Sequence, residues 1–157
     1  MEFTVKTKLD LSGFNTVKKA SETLSKPIEV GILNNPEEAR IGELQHYGGT
    51  GVYQYGKYAG EKVDVPPRPF ISAPVEHFGG EILSMSAKEH FDFTEKSAEK
   101  TLNVAGDTMV KDIQYWMDNG SVYPPKNSPR TIETKGFDHP LIDKGNLRDS
   151  IEYEVVK

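Results

Sequence analysis

The stretch NSPRTIETKGFDHPLIDKGNLRDSIEYEVV, residues 127–156, ends in a predicted strand. A strand needs a partner strand, so this stretch predicts that the fold contains a sheet. Its first part is polar and rich in turn residues, and its end alternates between apolar and acidic side chains. Such alternation is typical of a half-buried strand, with Ile151, Tyr153 and Val155 facing inward. The stretch contains no obvious reactive group, which favours a role in assembly over a role in catalysis.

Two further strands are predicted nearer the start of the chain. Residues 2–9 alternate in the same way, and Lys6 and Lys8 would pair with the outward glutamates of the last strand if these two strands were neighbours. The segment IEVGIL, residues 28–33, is the second of these strands, because its alternate apolar residues share one face.

Amphipathic helices fill most of the sequence between the predicted strands. Asn35 is a predicted N-cap, with Pro36 at the first helical position and Glu38 placed to complete a capping box. The last two apolar stripes are separated by Phe91 and Phe93 and fit either one bent helix or two helices. The four stripes at helical spacing are Phe14, Val17, Ala20, Ser21 and Leu24; Ala39, Ile41 and Leu44; Ile71, Val75, Phe78, Ile82 and Met85; and Ala98, Leu102, Ala105, Met109, Ile113 and Trp116.

The strands and helices together predict an α+β fold, in which a small antiparallel sheet is packed by amphipathic helices in one domain, residues 1–157. A long loop is predicted between residues 48 and 69, and its glycine-rich part fits a mobile loop, a loose hairpin or a contact surface. The prolines after Gly120 predict an extended arm or an ordered loop, not a helix, before the last strand. Asp143 is predicted to cap a short turn that runs to Arg148.

The composition excludes several functional classes. The 157 residues carry a net charge of −5 and include no cysteine, so a disulfide framework and thiolate chemistry are excluded. An acidic chain is poorly suited to binding phosphate backbones. DNA can still pass along such a surface without specific binding. The sequence has no run of about 18 apolar residues and no signal peptide, so we expect a protein made in the cytoplasm that contacts no membrane.

Sequence motifs for catalysis and metal binding are also missing. The four histidines form none of the usual zinc patterns, and no P-loop, dinucleotide-binding glycine pattern or calcium loop occurs. Two imidazole–carboxylate pairs remain as candidates for a small hydrolase-like enzyme: Glu43 with His46, and Asp138 with His139. No serine elbow or third metal ligand accompanies either pair. We therefore predict no enzyme activity, no metal and no cofactor.

Three segments of the chain match, in order and spacing, the motifs of a known protein family. Residues 65–77, VPPRPFISAPVEH, look like the family block IPPRPFLRPA. Residues 124–155, PPKNSPRTIETKGFDHPLIDKGNLRDSIEYEV, resemble its second signature, PPNSPSTIxRKGSDKPLIDTGxLRxSIxYxV. Residues 41–49, IGELQHYGG, are similar to AxxNEFGT, which precedes the first block. The chain thus resembles the neck or tail-completion (head–tail joining) proteins of long-tailed bacteriophages, and it departs from their pattern at Phe137 and Lys144.

The resemblance implies a structural virion protein of the phage neck. Such proteins form a ring, commonly a homo-hexamer, on the head-proximal end of the tail. The ring would bind the tail-tube or tail-terminator protein on one side and the head-completion (stopper) protein on the other, while DNA passes through its lumen. A tail terminator and a head-side connector are the alternatives within the same machinery.

The candidate residues for intersubunit or partner contacts are aromatic residues, prolines, arginines and one aspartate. Tyrosine and arginine are enriched at interfaces, and proline-braced segments lose little entropy on docking. For Arg148, an intrachain ion pair with Asp143 or Asp149 is an equally good interpretation. For Leu141, Ile142, Leu147 and Ile151, packing in the core is preferred. The candidates are Tyr53, Tyr55, Tyr58, Pro66, Pro67, Arg68, Phe70, Arg130, Asp143 and Arg148.

Overall fold

The structure is a computed structural model in which residues 11–119 and 125–156 are described. The predicted strand at residues 2–9 and its pairing with the last strand lie outside these residues. The elements are, in chain order, α1 (Ser12–Leu24), β1 (Ile28–Gly31), α2 (Pro36–Tyr47), β2 (Gly49–Val52), β3 (Lys62–Val65), α3 (Ser72–His90), α4 (Glu95–Asp118), α5 (Pro129–Lys135), α6 (Asn146–Asp149) and β4 (Glu152–Val155).

The α+β prediction is confirmed, with the strands forming two antiparallel pairs. β1 pairs with β4, so that Ile28 lies opposite Val155 and Val30 lies opposite Tyr153. The backbone N–H of Val156 extends this ladder by donating to the carbonyl of Pro27 at 3.0 Å. β2 and β3 form the second pair, a hairpin within the segment predicted as a long loop, so the hairpin interpretation of that segment is confirmed.

Helix α4 is the centre of the packing, with α1, α3 and β4 all against it. The predicted apolar stripe of α4 is largely confirmed, because Ala98, Leu102, Ala105 and Ile113 are buried. α3 and α4 are two separate helices, because the chain is extended at Phe91 and Thr94. Thr94 caps α4 in a capping box with Ser97, which fixes where the second helix begins.

Glycine at position 106 allows β4 to approach α4. A Cβ atom built there would lie within 2.6 Å of three ring carbons of Tyr153. The ring of Tyr153 therefore packs directly on the backbone of α4, and its hydroxyl donates to Oδ1 of Asn103 at 3.2 Å. This contact couples the β1–β4 pair to the central helix.

The helix boundaries around α2 follow the sequence signals, whereas the predicted stripe of α1 is buried only in part. The side chain of Asn35 accepts the backbone N–H of Glu38 at 3.2 Å, which confirms the predicted N-cap. In α1, the buried residues are Ala20 and Thr23. Ala20 belongs to the predicted stripe, but Phe14 and Val17 from the same stripe are 66% and 47% exposed.

The predicted extended arm is wrong in its described part, where helix α5 occupies residues 129–135. The side chain of Ser128 accepts the backbone N–H of Thr131 at 3.2 Å, and Pro129 takes the first helical position, where its missing N–H leaves no bond unmade. Asp143 does not cap the next turn, since α6 starts after Gly145 without a side-chain cap.

Candidate assembly surface

The tip of the β2–β3 hairpin, residues 53–61, lies against α5. The hydroxyl of Tyr53 is 3.3 Å from Oγ of Ser128, and the hydroxyl of Tyr58 donates to Oε2 of Glu133 at 2.7 Å. The rings of Tyr53 and Tyr58 are themselves in contact, with centroids 5.8 Å apart. We call this set of contacts between residues 53–61 and α5 the latch. It brings together two segments that each carry candidate contact residues.

Charged side chains border the latch. Arg130 pairs with Glu61 at 2.9 Å, and Lys57 pairs with Glu133 at 3.2 Å. The hydrogen bond from Tyr58 and the nearby ammonium of Lys57 lower the pKa of the Glu133 carboxyl. All four charged side chains are exposed, so water screens these pairs and they add little to the stability of the fold. The latch is therefore a polar contact that is solvated along its rim.

Tyr55, also at the hairpin tip, contacts the turn between α5 and α6. Its hydroxyl donates a hydrogen bond to Oδ2 of Asp143, and the ammonium of Lys144 lies 5.9 Å from the centre of its ring. This hydrogen bond, helped by burial and by the charge of Asp143, raises the pKa of Tyr55 to about 12. Both Tyr55 and Asp143 are candidate contact residues, and in the described chain each is the other's partner.

Arg68 links the proline block, residues 65–70, to the segment that follows α4. Its side chain is 8% exposed and donates to Oε1 of Gln45 at 2.8 Å and to the carbonyl oxygens of Pro125 at 2.9 Å and Lys126 at 3.2 Å. Burial lowers the pKa of Arg68, and the charge of Asp138 opposes that effect. The guanidinium thus satisfies three acceptors from two distant segments, an arrangement that its fork geometry allows.

Lys135 and Arg148 organise the turn between α5 and α6. The ammonium of Lys135 donates to the carbonyl of His139 at 2.7 Å and to that of Ile142. Burial lowers the pKa of Lys135. Arg148 makes a two-pronged pair with Asp118 at 2.6 and 2.8 Å, and a further contact with Asp149 at 2.8 Å. The predicted pair with Asp149 is confirmed, whereas the stronger partner at the end of α4 left no signal in the sequence.

The remaining candidates separate into core and surface. Phe70 is fully buried in the core with Ile113, Met117, Leu147 and Ile151, so in this conformation its ring does not reach a neighbouring molecule. Core packing is thereby confirmed for Leu147 and Ile151, and Leu141 and Ile142 pack against the same cluster. Pro66 is half-buried and Pro67 is exposed.

Neither imidazole–carboxylate pair forms a hydrogen bond within the described chain. The two ring nitrogens of His139 face the carbonyl oxygens of Pro140 at 3.0 Å and Asp118 at 2.7 Å. The ring of His46 lies edge-on against Phe70, with its Nδ1 atom buried and without a hydrogen-bond partner. Burial lowers the pKa of His46, so its ring is uncharged at neutral pH. Both histidines are thus held by structural contacts.

Among residues 11–119 and 125–156, no group of three or more histidine and acidic side chains is arranged to hold a metal ion, and no helix has the length and apolar character needed to cross a membrane. No protein-family profile, curated protein or solved structure matches the chain. The likeness to phage neck proteins therefore stands on the sequence motifs.

Proposed function

We propose that this protein is a tail-completion (head–tail joining) protein of a long-tailed bacteriophage. It forms a ring, commonly of six subunits, at the head-proximal end of the tail, located in the neck of the virion. The observation that carries this proposal is the match of residues 124–155 to the family signature, together with the proline block at residues 65–70 in the right order and spacing.

The geometry of these two motifs supports a structural role. Arg68, from the first motif, donates to the carbonyl oxygens of Pro125 and Lys126, which belong to the second. Within the second motif, Lys135 and Arg148 fix the turn by hydrogen bonds to backbone and to an acidic side chain. The most specific residues of the motifs therefore build one rigid unit, and a rigid unit loses little entropy when it docks on a partner.

The net charge of −5 supports a lumen that does not retain DNA. Phosphate backbones are attracted by clustered lysine and arginine and repelled by acidic surfaces. We therefore expect purified protein to show no tight, salt-sensitive binding to duplex DNA. Such binding, measured by fluorescence anisotropy at low and high salt, would contradict this part of the proposal.

Complementation of a phage lysate tests the proposed function. The gene is inactivated, purified protein is added back, and infectivity and electron micrographs are recorded. Accumulation of separate full heads and complete tails, which the added protein then joins, is the expected result. Tails of uncontrolled length would support a tail terminator, and heads that leak DNA would support a head-side connector. Normal infectious particles without the protein would overturn the proposal.

The enzyme alternative is tested in the same lysate with His46→Ala and His139→Ala. Both rings make structural contacts, so each variant is first compared with the unmodified protein for its free energy of unfolding. Variants that remain folded are expected to join heads to tails at the unmodified level. A folded variant that binds particles but fails to complete them would favour chemistry at that histidine.

A further inference from the structure

The latch joins two segments that both lie outside the core. None of residues 53–61 is buried, and helix α5 has no buried residue either. The contacts described between them include hydrogen bonds, two exposed ion pairs and a cation–π contact. Water competes for such groups, so each contact adds little to the stability of the fold. The latch can therefore open without exposing the core.

The hairpin that carries the tip is joined to the rest of the fold at two short points. The chain enters it through Gly48, which has a φ of +75°, and leaves it through residues 66–67, just before the anchored Arg68. Within residues 49–65, Gly51 is the one buried residue. Because the two strands of the hairpin are hydrogen-bonded to each other, changes of backbone angle at these two points would move it as one unit.

The tip and α5 are complementary, and every copy of the chain carries both. Lys57 of the tip lies 3.2 Å from Glu133, and Glu61 lies 2.9 Å from Arg130, so opposite charges face each other in two places. The guanidinium of Arg130 also lies 5.0 Å from the centre of the Tyr58 ring. A surface that fits the tip of its own chain fits the tip of an identical chain equally well. The partner that this complementarity selects is therefore a second copy.

We propose that, in the assembled ring, the hairpin tip leaves α5 of its own chain and makes the same contacts with α5 of the neighbouring copy. Exchange of an identical element is a low-cost route to an oligomer, since the contacts that are lost are regained. Each copy donates one tip and accepts one tip, so the exchange repeats head to tail and closes into a ring when the rotation permits. This inference rests on the proposed function and names the subunit contact that builds its ring.

A disulfide across the latch tests the exchange, because the sequence has no cysteine of its own. A Cβ atom at Gly56 would lie 3.8 Å from Cβ of Thr134. This matches the separation of roughly 3.8 Å that is usual across a disulfide. Gly56→Cys with Thr134→Cys is therefore expected to form an intrachain bridge when the free chain is oxidised. Gly56 has a φ of +82°, which strains a cysteine, so Gly56→Cys alone and Thr134→Cys alone are the matched controls.

The bridged protein is expected to lose the joining of heads to tails in the lysate, and a reducing agent is expected to restore it. When the reduced variant first joins particles and is then oxidised, a non-reducing gel should show a ladder up to six times the 17.5 kDa chain mass. Each single variant should join particles under both conditions and give no ladder.

The outcomes separate the exchange from the proposed function. Joining by the bridged protein, or joined particles that give no ladder, would overturn the exchange and leave head–tail joining intact. A ladder formed by purified protein that joins no heads to tails in either redox state would support the exchange and overturn the proposed function.

Mixing two charge-reversed variants provides a second test for the case in which the double-cysteine chain does not fold. The tip variant carries Lys57→Glu and Glu61→Lys, and the α5 variant carries Arg130→Glu and Glu133→Lys. Each variant keeps the net charge of the chain but sets like charges against each other across the latch. We therefore expect either variant alone to join about tenfold fewer particles in the lysate.

An equimolar mixture of the two variants is expected to join particles at the unmodified level, because tips exchanged between unlike copies meet opposite charges again. The chain that carries all four substitutions is the control and should also join at that level. A mixture no better than the separate variants would overturn the exchange, because a latch that stays closed within each chain keeps its like charges.

Discussion

Replacing Gly106 by alanine has two opposing effects on stability. A helix prefers alanine to glycine, but β4 packs on α4 at this position and leaves no room for a side chain. Glycine inside a helix is disfavoured relative to alanine by about 1 kcal/mol, so propensity alone predicts a more stable protein. The added Cβ, however, would lie within 2.6 Å of three ring carbons of Tyr153, so the ring would have to move by roughly 1–2 Å to reach ordinary contact.

The clash is expected to outweigh the propensity. Overpacking costs about 1–3 kcal/mol, and a contact this close belongs at the upper end of that range. The net result for Gly106→Ala is therefore a loss of about 2 kcal/mol in the free energy of unfolding, from about 3 lost to overpacking and about 1 regained from propensity. For a chain of this length, Tm should fall by about 4–8 °C.

The decisive measurement is a double-mutant cycle by urea denaturation. In a Tyr153→Ala background the obstacle is gone, so Gly106→Ala is expected to stabilise the protein by about 1 kcal/mol. Gly80→Ala in α3 is the matched control, because no atom beyond its neighbours and the adjacent backbone of α3 lies within 4 Å of its added Cβ, and it should stabilise both backgrounds alike. An equal loss of stability from Gly106→Ala in the two backgrounds would refute the packing explanation.

Three further predictions concern buried and titrating groups. Arg68→Met should lower the free energy of unfolding by about 3 kcal/mol in urea, because acceptors such as Oε1 of Gln45 lose their donor; a loss below about 1 kcal/mol would mean that water replaces the guanidinium. In an ultraviolet titration, the pKa of one tyrosine should be about 12, and Asp143→Ala, which removes the acceptor, should return the pKa of Tyr55 towards 10; an unchanged curve would show that Asp143 does not raise this pKa. His46 has a lowered pKa in the folded state, so the unfolded chain takes up its proton first and stability should fall as the pH drops below 6.5. His46→Gln should remove this slope between pH 6.5 and 5, above the range where carboxylates titrate, and a slope that persists would assign the effect to another group.

Local signals in the sequence predicted the elements of the fold well. The Asn35-Pro36 pair predicted the start of α2, and helical spacing predicted the buried side of α4, because capping and amphipathic burial depend on neighbours in sequence. The same kind of signal was available at Ser128-Pro129. The number of prolines around this pair favours an extended segment, but Pro129 takes the first helical position, which proline suits, and α5 begins there.

The candidate contact surface was less predictable, because its geometry depends on residues far apart in the chain. The tyrosines of the hairpin tip were identified as contact residues, but their partners on α5 and at Asp143 carry no local pattern. The orientation of α1 was also beyond the sequence, because the stripe of Phe14 and Val17 fits burial against the core and burial against another molecule equally well.

The pairing of β1 with β4 has a consequence for the order in which the fold becomes complete. During synthesis β1 emerges early, yet its partner strand follows only after all the described helices have been made. Contacts between such distant segments form late and slowly. A chain interrupted before β4 would lack both the strand pair and the Tyr153 contact on α4. An incompletely translated chain would therefore leave α4 without one of the elements that pack on it.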